Sequence, residues 1–208
     1  MKKIIALILA IACMLCLASC DILFPGNTEK PDDTQKPDDS HAIPDIQAKI
    51  DASAPMGADV AVSFETALGE LNGSYDVAYN EDGSATVNYS YEKFNTFTAG
   101  ETATELKSVV SGTVTVAADG TVSGDLGAEG LNAVSFKLQL DEGKLTSVAI
   151  NAGVLSATVK AADTAAVLGV ALDYDVQLVV ATGTTGVTYM TVAYTTTYGP
   201  VEVVTTYK

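Results

Sequence analysis

From Asp59 onward the apolar residues of this chain recur at every second position, and that period decides what it can fold into. Val60, Val62 and Phe64 alternate with Ala61, Ser63 and Glu65. Tyr75, Val77 and Tyr79 alternate with Ser74, Asp76 and Ala78, and Ala85, Val87, Tyr89 and Tyr91 with Thr86, Asn88, Ser90 and Glu92. A period of two puts one set of side chains on each face of a pleated strand, so each run reads as a half-buried β-strand. Asn80-Glu81-Asp82-Gly83 supplies a hairpin turn between two of them. The same reading predicts strands over 106–117 and 120–126, joined at Asp119-Gly120, and over 133–141 and 144–150, joined at Asp141-Glu142-Gly143. A strand over 154–160, another from Tyr174 to Val180, and two closing strands over 187–197 and 201–207, turned at Gly199-Pro200, complete nine or ten. Two segments break the rhythm. Asp45–Ala52 has the spacing of a short amphipathic helix, and Ala161–Leu168 is alanine-rich and ends at Gly169. No helix recurs between strands, which excludes a βαβ fold. The expected class is mainly β: an antiparallel meander forming a curved single sheet, a half-barrel, with one N-terminal and one late short helix. A β-sandwich is the alternative.

The first residues have a different logic. Met1, Lys2 and Lys3 precede an uncharged run from Ile4 to Cys20, 17 residues long. That is short for a bilayer span of about 30 Å and fits a secretory signal peptide over residues 1–19. Leu17-Ala18-Ser19-Cys20 resembles the lipobox of bacterial lipoproteins. The resemblance implies that Cys20 is acylated on sulfur and becomes the mature N-terminus. Several acyl chains, at about 0.8 kcal/mol per buried CH₂, hold a protein firmly on a membrane. The expected location is the cell membrane, lipid-anchored and facing the extracytoplasmic side. Residues 20–44 carry Pro25, Pro31, Pro37 and Pro44 and the near-repeat Lys30-Pro31-Asp32-Asp33 and Lys36-Pro37-Asp38-Asp39. So polar a stretch has little to bury and reads as an extended tether. Residues 45–208 are then one antiparallel β domain.

Composition narrows the chemistry. All 11 basic residues are lysines, tryptophan is absent, His41 is the only histidine, and Cys13, Cys16 and Cys20 all lie in the leader. A disulfide framework, a cysteine-based zinc site, a His-dependent triad and arginine-clamped phosphate chemistry are therefore excluded. Loss of Lys2 and Lys3 with the leader leaves 9 lysines against 26 acidic residues, and such a surface cannot bind nucleic acid through its phosphates. No cofactor is expected. Among chemical constellations, paired carboxylates for glycoside hydrolysis are the one enzymatic alternative, with Glu65, Glu70, Asp76, Glu92, Asp125 and Glu129 as candidates. They fall on the polar phase of strands or in turns, where solvated charge is the plainer reading.

The most suggestive group is aromatic. Tyr75, Tyr79, Tyr89 and Tyr91 share one face on neighbouring strands and form the candidate ligand or partner surface. Cross-strand packing explains the same four residues. The expected function is non-catalytic: a membrane-tethered, monomeric binding protein that presents a polar sheet surface to a protein or glycan. The alternative is a carrier or sensor holding an apolar, acyl-chain ligand. The order helix, strand, turn, strand, with a second helix late in the chain, resembles the lipoprotein-carrier superfamily of LolA-like and LppX-like proteins. That resemblance implies a half-barrel closed by helices over an apolar cavity, and such carriers often begin with a helix leading into a Phe-containing strand, to which Ile46, Ile50 and Phe64 correspond. The arginine such carriers hold in the cavity has no counterpart here.

Overall fold

A computed structural model of the chain describes residues 42–96, 106–127 and 129–208. The leader, Cys20, His41 and the rest of the tether up to residue 41 lie outside the described residues, while residues 42–44, expected as the end of the tether, are helical. The first element is a helix, α1 (Ala42–Ala52), which begins three residues before the position expected. Pro44 sits in its first turn, where a missing N–H removes no helical bond, and Asp45 lies beside the unpaired amides. Ile43 and Ile46 are buried and Ile50 packs against the same core. The Gln47 side chain ties the helix down by accepting a hydrogen bond from the Leu140 backbone N–H at 2.6 Å.

Nine strands follow: β1 (Gly57–Thr66), β2 (Gly69–Tyr79), β3 (Ala85–Phe94), β4 (Lys107–Val116), β5 (Leu145–Asn151), β6 (Val154–Val159), β7 (Val176–Thr182), β8 (Val187–Thr196) and β9 (Gly199–Tyr207). All pair antiparallel in a single open sheet of order β4-β3-β2-β1-β9-β8-β7-β6-β5. The single curved sheet is the architecture, and the sandwich alternative is excluded for these residues. In space the meander is two meanders. Strands β1–β4 and β5–β9 are joined where the first strand pairs with the last, Val62 opposite Val203. The inner face is one apolar layer because the register aligns the alternating residues of neighbouring strands. Val62, Val203, Val192 and Leu178 face each other in succession across β1, β9, β8 and β7, and each is buried.

The chain passes from one edge of the sheet to the other between β4 and β5, and it crosses beneath the inner face. Here the structure corrects two strand predictions. Residues 120–126 form no strand: Val122 makes one bridge to Val116, and the segment turns under the sheet to bury Leu126. The stretch expected as a strand over 133–141 contains the end of a six-residue helix, α2 (Gly130–Ser135), followed by extended chain. That extended chain does alternate, but its backbone pairs with a helix end. Lys137 and Gln139 donate their N–H groups to the carbonyls of Leu168 and Val167 at 2.8 Å. Those carbonyls close α3 (Thr164–Leu168), which ends at Gly169 in the left-handed conformation, as its sequence predicts. Alternation reports one buried face and not the hydrogen-bond partner, so an extended segment packed on a helix gives the same signal as a strand.

Candidate functional site

The four tyrosines do share the inner face, in the register Tyr75 opposite Tyr89, Tyr91 opposite Gly73 and Tyr79 opposite Ala85. They do not form an exposed surface. Tyr75 and Tyr91 are buried, at 2% and 7% exposure, Tyr89 is half-buried, and Tyr79 is exposed at the far end of β2. Their rings lie over glycines. A Cβ at Gly73 would stand 2.8 Å from the Tyr75 ring, and one at Gly112 would stand 2.9 Å from the Tyr89 hydroxyl. Tyr89 lies against a glycine of the neighbouring strand β4 and Tyr75 against one two residues before it on its own strand, and each ring recovers the packing that the glycine lacks. Tyr89 and Tyr91 stack with ring centres 5.8 Å apart.

The buried hydroxyls are held by the crossing segment, which alternation alone does not assign. Tyr75 donates to the Leu126 carbonyl at 2.8 Å, Tyr91 to the Asp125 carboxylate at 3.1 Å, and Tyr194 to Glu129 at 2.5 Å. Asp125 also accepts from the Gly127 N–H at 2.9 Å, and these bonds hold its carboxyl below the usual range. Burial pushes the Tyr75 and Tyr194 phenols well above the ordinary tyrosine value, and the carboxylates beside them push the same way. The consequence for stability has a definite sign. A phenol whose folded pKa is raised contributes stability below its unfolded pKa near 10 and loses it as pH climbs above that value. Each contributes a slope of about 1.4 kcal/mol per pH unit. Phenolate absorbance from Tyr75 and Tyr194 is therefore expected only together with loss of the far-ultraviolet β spectrum. Ionisation of all nine tyrosines with that spectrum intact would contradict the assignment.

Above Tyr91 the sheet splits. Pairing between β2 and β3 stops at Gly73–Tyr91, although β2 stays paired to β1 as far as Gly69, and β3 to β4 as far as Phe94. Side chains replace the missing ladder bonds. The Glu92 carboxylate accepts from the Asn72 backbone N–H at 2.9 Å, and the Lys107 ammonium donates to the Glu70 carbonyl. The bonds from Asn72 hold the Glu92 carboxyl low, with Lys107 adding to them. On the inner side the split opens a cleft of about 40 Å³ bordered by Val62, Phe64, Leu71, Tyr75, Tyr91 and Glu129. That volume admits one or two waters and is far below the several hundred Å³ of a ligand pocket.

Of the candidate carboxylates, Glu70, Asp76, Glu92, Asp125 and Glu129 are engaged in hydrogen bonds, and Glu65 is exposed opposite Glu70 in the register. Glu70 accepts from Ser63 at 2.9 Å, and Asp76 and Asp59 share Lys208 at 2.8 and 2.6 Å. Lys208 is the main reason that Asp76 titrates low. Among the described residues no group of three His, Cys, Asp or Glu side chains is arranged to hold a metal. Nor is any described helix long and apolar enough to cross a membrane.

The outer face is the larger open surface. The register sets Ser111, Ser90, Ser74 and Ala61 in one row across β4, β3, β2 and β1. The row continues as Val204, Thr191, Val179 and Ser156 across β9 to β6. Across β4 to β1 the row is small and exposed, whereas Thr191 is buried and donates to the Tyr189 hydroxyl at 2.8 Å; Asp59 and Asp76 lie to one side of the row and Glu92 and Glu202 to the other. Sequence alternation put Ala61, Ser74 and Ser90 opposite the apolar phase of their strands but did not set them in one row, because the row depends on strand neighbours. No protein-family model matches the chain, and no curated protein matches it.

Proposed function

We propose that this is a membrane-tethered, extracytoplasmic binding protein without catalysis, which presents the outer face of its sheet to a protein or glycan. The observation that carries this reading is the division of labour between the faces. The inner face is spent on the core, with Leu155, Leu178 and Met190 of the sheet fully buried together with Leu168 of α3. Across β1 to β4 the outer face keeps a row of small exposed residues, Ala61, Ser74, Ser90 and Ser111, bordered by carboxylates. A cleft of about 40 Å³ beside Tyr75 and Tyr91 weighs against an acyl chain at that place. Engagement of Glu70, Glu92, Asp125 and Glu129 in hydrogen bonds weighs against a free carboxylate pair.

Two measurements test the two halves. Mass spectrometry of the mature N-terminus is expected to find a diacylglyceryl adduct on Cys20, and an unmodified chain starting at Met1 would remove the tether. A photo-crosslinking residue placed at Ser74, in the full chain in its own host, is expected to capture a protein or cell-surface glycan. The same residue at Leu131, which is exposed on α2 beneath the inner face, is expected to capture none. Capture from Leu131 alone, or acyl lipid co-purifying in native mass spectrometry, would favour the carrier reading instead.

A further inference from the structure

We infer that β4 is the edge through which two copies of this chain pair, strand against strand, into one continuous sheet. The backbone shows which groups face outward. Thr115 sends its carbonyl to the Ser123 N–H at 3.1 Å, and its N–H to the Ser123 hydroxyl at 3.0 Å, both on the side away from β3. Leu106 sends its carbonyl the other way, to Asn95 on the β3 side. Successive residues of a strand point their polar groups to opposite sides, so Val109, Ser111 and Thr113 face outward with Thr115. Among the described residues nothing hydrogen-bonds their three N–H and three C=O groups. Val109 is 67% exposed, and Ser111, Gly112 and Thr113 are exposed as well.

The open stretch is self-complementary. A two-fold axis through Ser111 places Ser111 against its own copy and Val109 against Thr113 of the second chain. All six groups then pair, and Ser123 caps the strand where the match ends. Such an isologous contact closes on itself as a dimer. Charge agrees. Lys107–Val116 contains one lysine and no acid, in a chain with 26 acidic residues, so this edge escapes the like-charge repulsion of the rest of the surface. The opposite edge is defended. β5 carries a bulge between Thr146 and Ala149, with Ser147 at φ 53°, which breaks the ladder a partner strand needs. An edge unpaired among the described residues, at the far side of the sheet from a bulged one, marks β4 as the pairing edge. The axis runs perpendicular to the sheet, so α1 of both copies lies on the same side and the two outer faces merge into one surface.

Sedimentation velocity of the full chain in detergent, over a concentration series, reads the dimer directly. Ser111→Pro removes an outward N–H that bonds nothing within one copy, a position where an edge strand tolerates proline. It is expected to weaken association at least ten-fold while the far-ultraviolet spectrum stays unchanged. Val109→Lys is the second variant, should proline disturb the strand, and is expected to act in the same direction. Ser111→Cys is expected to cross-link two copies under mild oxidation, because paired residues about 5.5 Å apart at Cα suit a disulfide. The unsubstituted chain controls for its own cysteines. A monomer at every concentration would overturn the inference, as would a dimer indifferent to both edge variants. Cross-links from position 111 to another protein alone would also overturn it, assigning the edge to a partner's strand.

Discussion

Gly199→Ala is expected to lower the stability of the chain by about 2–6 kcal/mol, read as a fall in the urea midpoint at constant slope. Two terms add. Gly199 has φ 145°, a region that an L side chain enters at about 1–3 kcal/mol, and its Cβ would fall on the Glu65 carbonyl oxygen of the neighbouring strand. Relieving a clash with backbone costs about another 1–3 kcal/mol. An internal control exists, because the β1–β2 and β8–β9 turns are built alike. Thr66 and Thr196 each donate a hydroxyl to the carbonyl of a glycine three residues on, at 2.8 and 2.9 Å. Each also accepts the N–H two residues on, from Leu68 and Tyr198. Gly69 has φ 125° but open space around its missing Cβ. Gly69→Ala should therefore carry the strain term alone, about 1–3 kcal/mol. Equal losses at the two positions would mean that the packing of β9 against the end of β1 is looser than described.

Tyr75→Ala is expected to cost about 3–5 kcal/mol, the loss typical of emptying a buried aromatic site. Tyr75→Phe separates the hydroxyl from the ring. It leaves the Leu126 carbonyl without its 2.8 Å donor inside the protein, at about 1–2 kcal/mol. The smaller change has a location as well as a size. Tyr75 pins the crossing segment under the sheet, so amide exchange in Leu126–Gly127 should rise in Tyr75→Phe while β7 and β8 stay protected. Tyr79→Phe is the comparison, since Tyr79 is 39% exposed and no hydrogen bond from its hydroxyl is seen among the described residues. It should change the midpoint little. A Tyr75→Phe variant as stable as the parent would return Tyr75 to the class of simple packing residues, with no part in holding the crossing chain.

The local elements were legible from residue type and spacing. Alternation of Val60, Val62 and Phe64 against Ala61, Ser63 and Glu65 identifies a strand, because a pleat sends successive side chains to opposite faces. Asp82-Gly83 identifies a turn, and Gly83 does occupy the left-handed region at φ 80°. The isoleucines of α1 mark its buried side. The same rule named Tyr75, Tyr79, Tyr89 and Tyr91 as sharing a face. What it could not say was whether that face is open, since exposure depends on what packs against it.

Three features were decided only by tertiary structure. Pairing of β1 with β9 joins residues almost 150 apart in the chain, and no local pattern distinguishes it from a closing strand at a free edge. The crossing segment between β4 and β5 reads as two strands because Phe136, Leu138 and Leu140 alternate, yet its hydrogen bonds go to the end of α3. Its position under the inner face is what buries Tyr75 and Tyr91 and leaves the outer face as the open surface. The sequence alone determined the location of the nine strands and of α1 and α3, and the residue types the chain lacks, because these follow from side-chain type and a period of two. The order of strands and the occupied inner face come from contacts between distant segments, which leave no periodic trace in either partner.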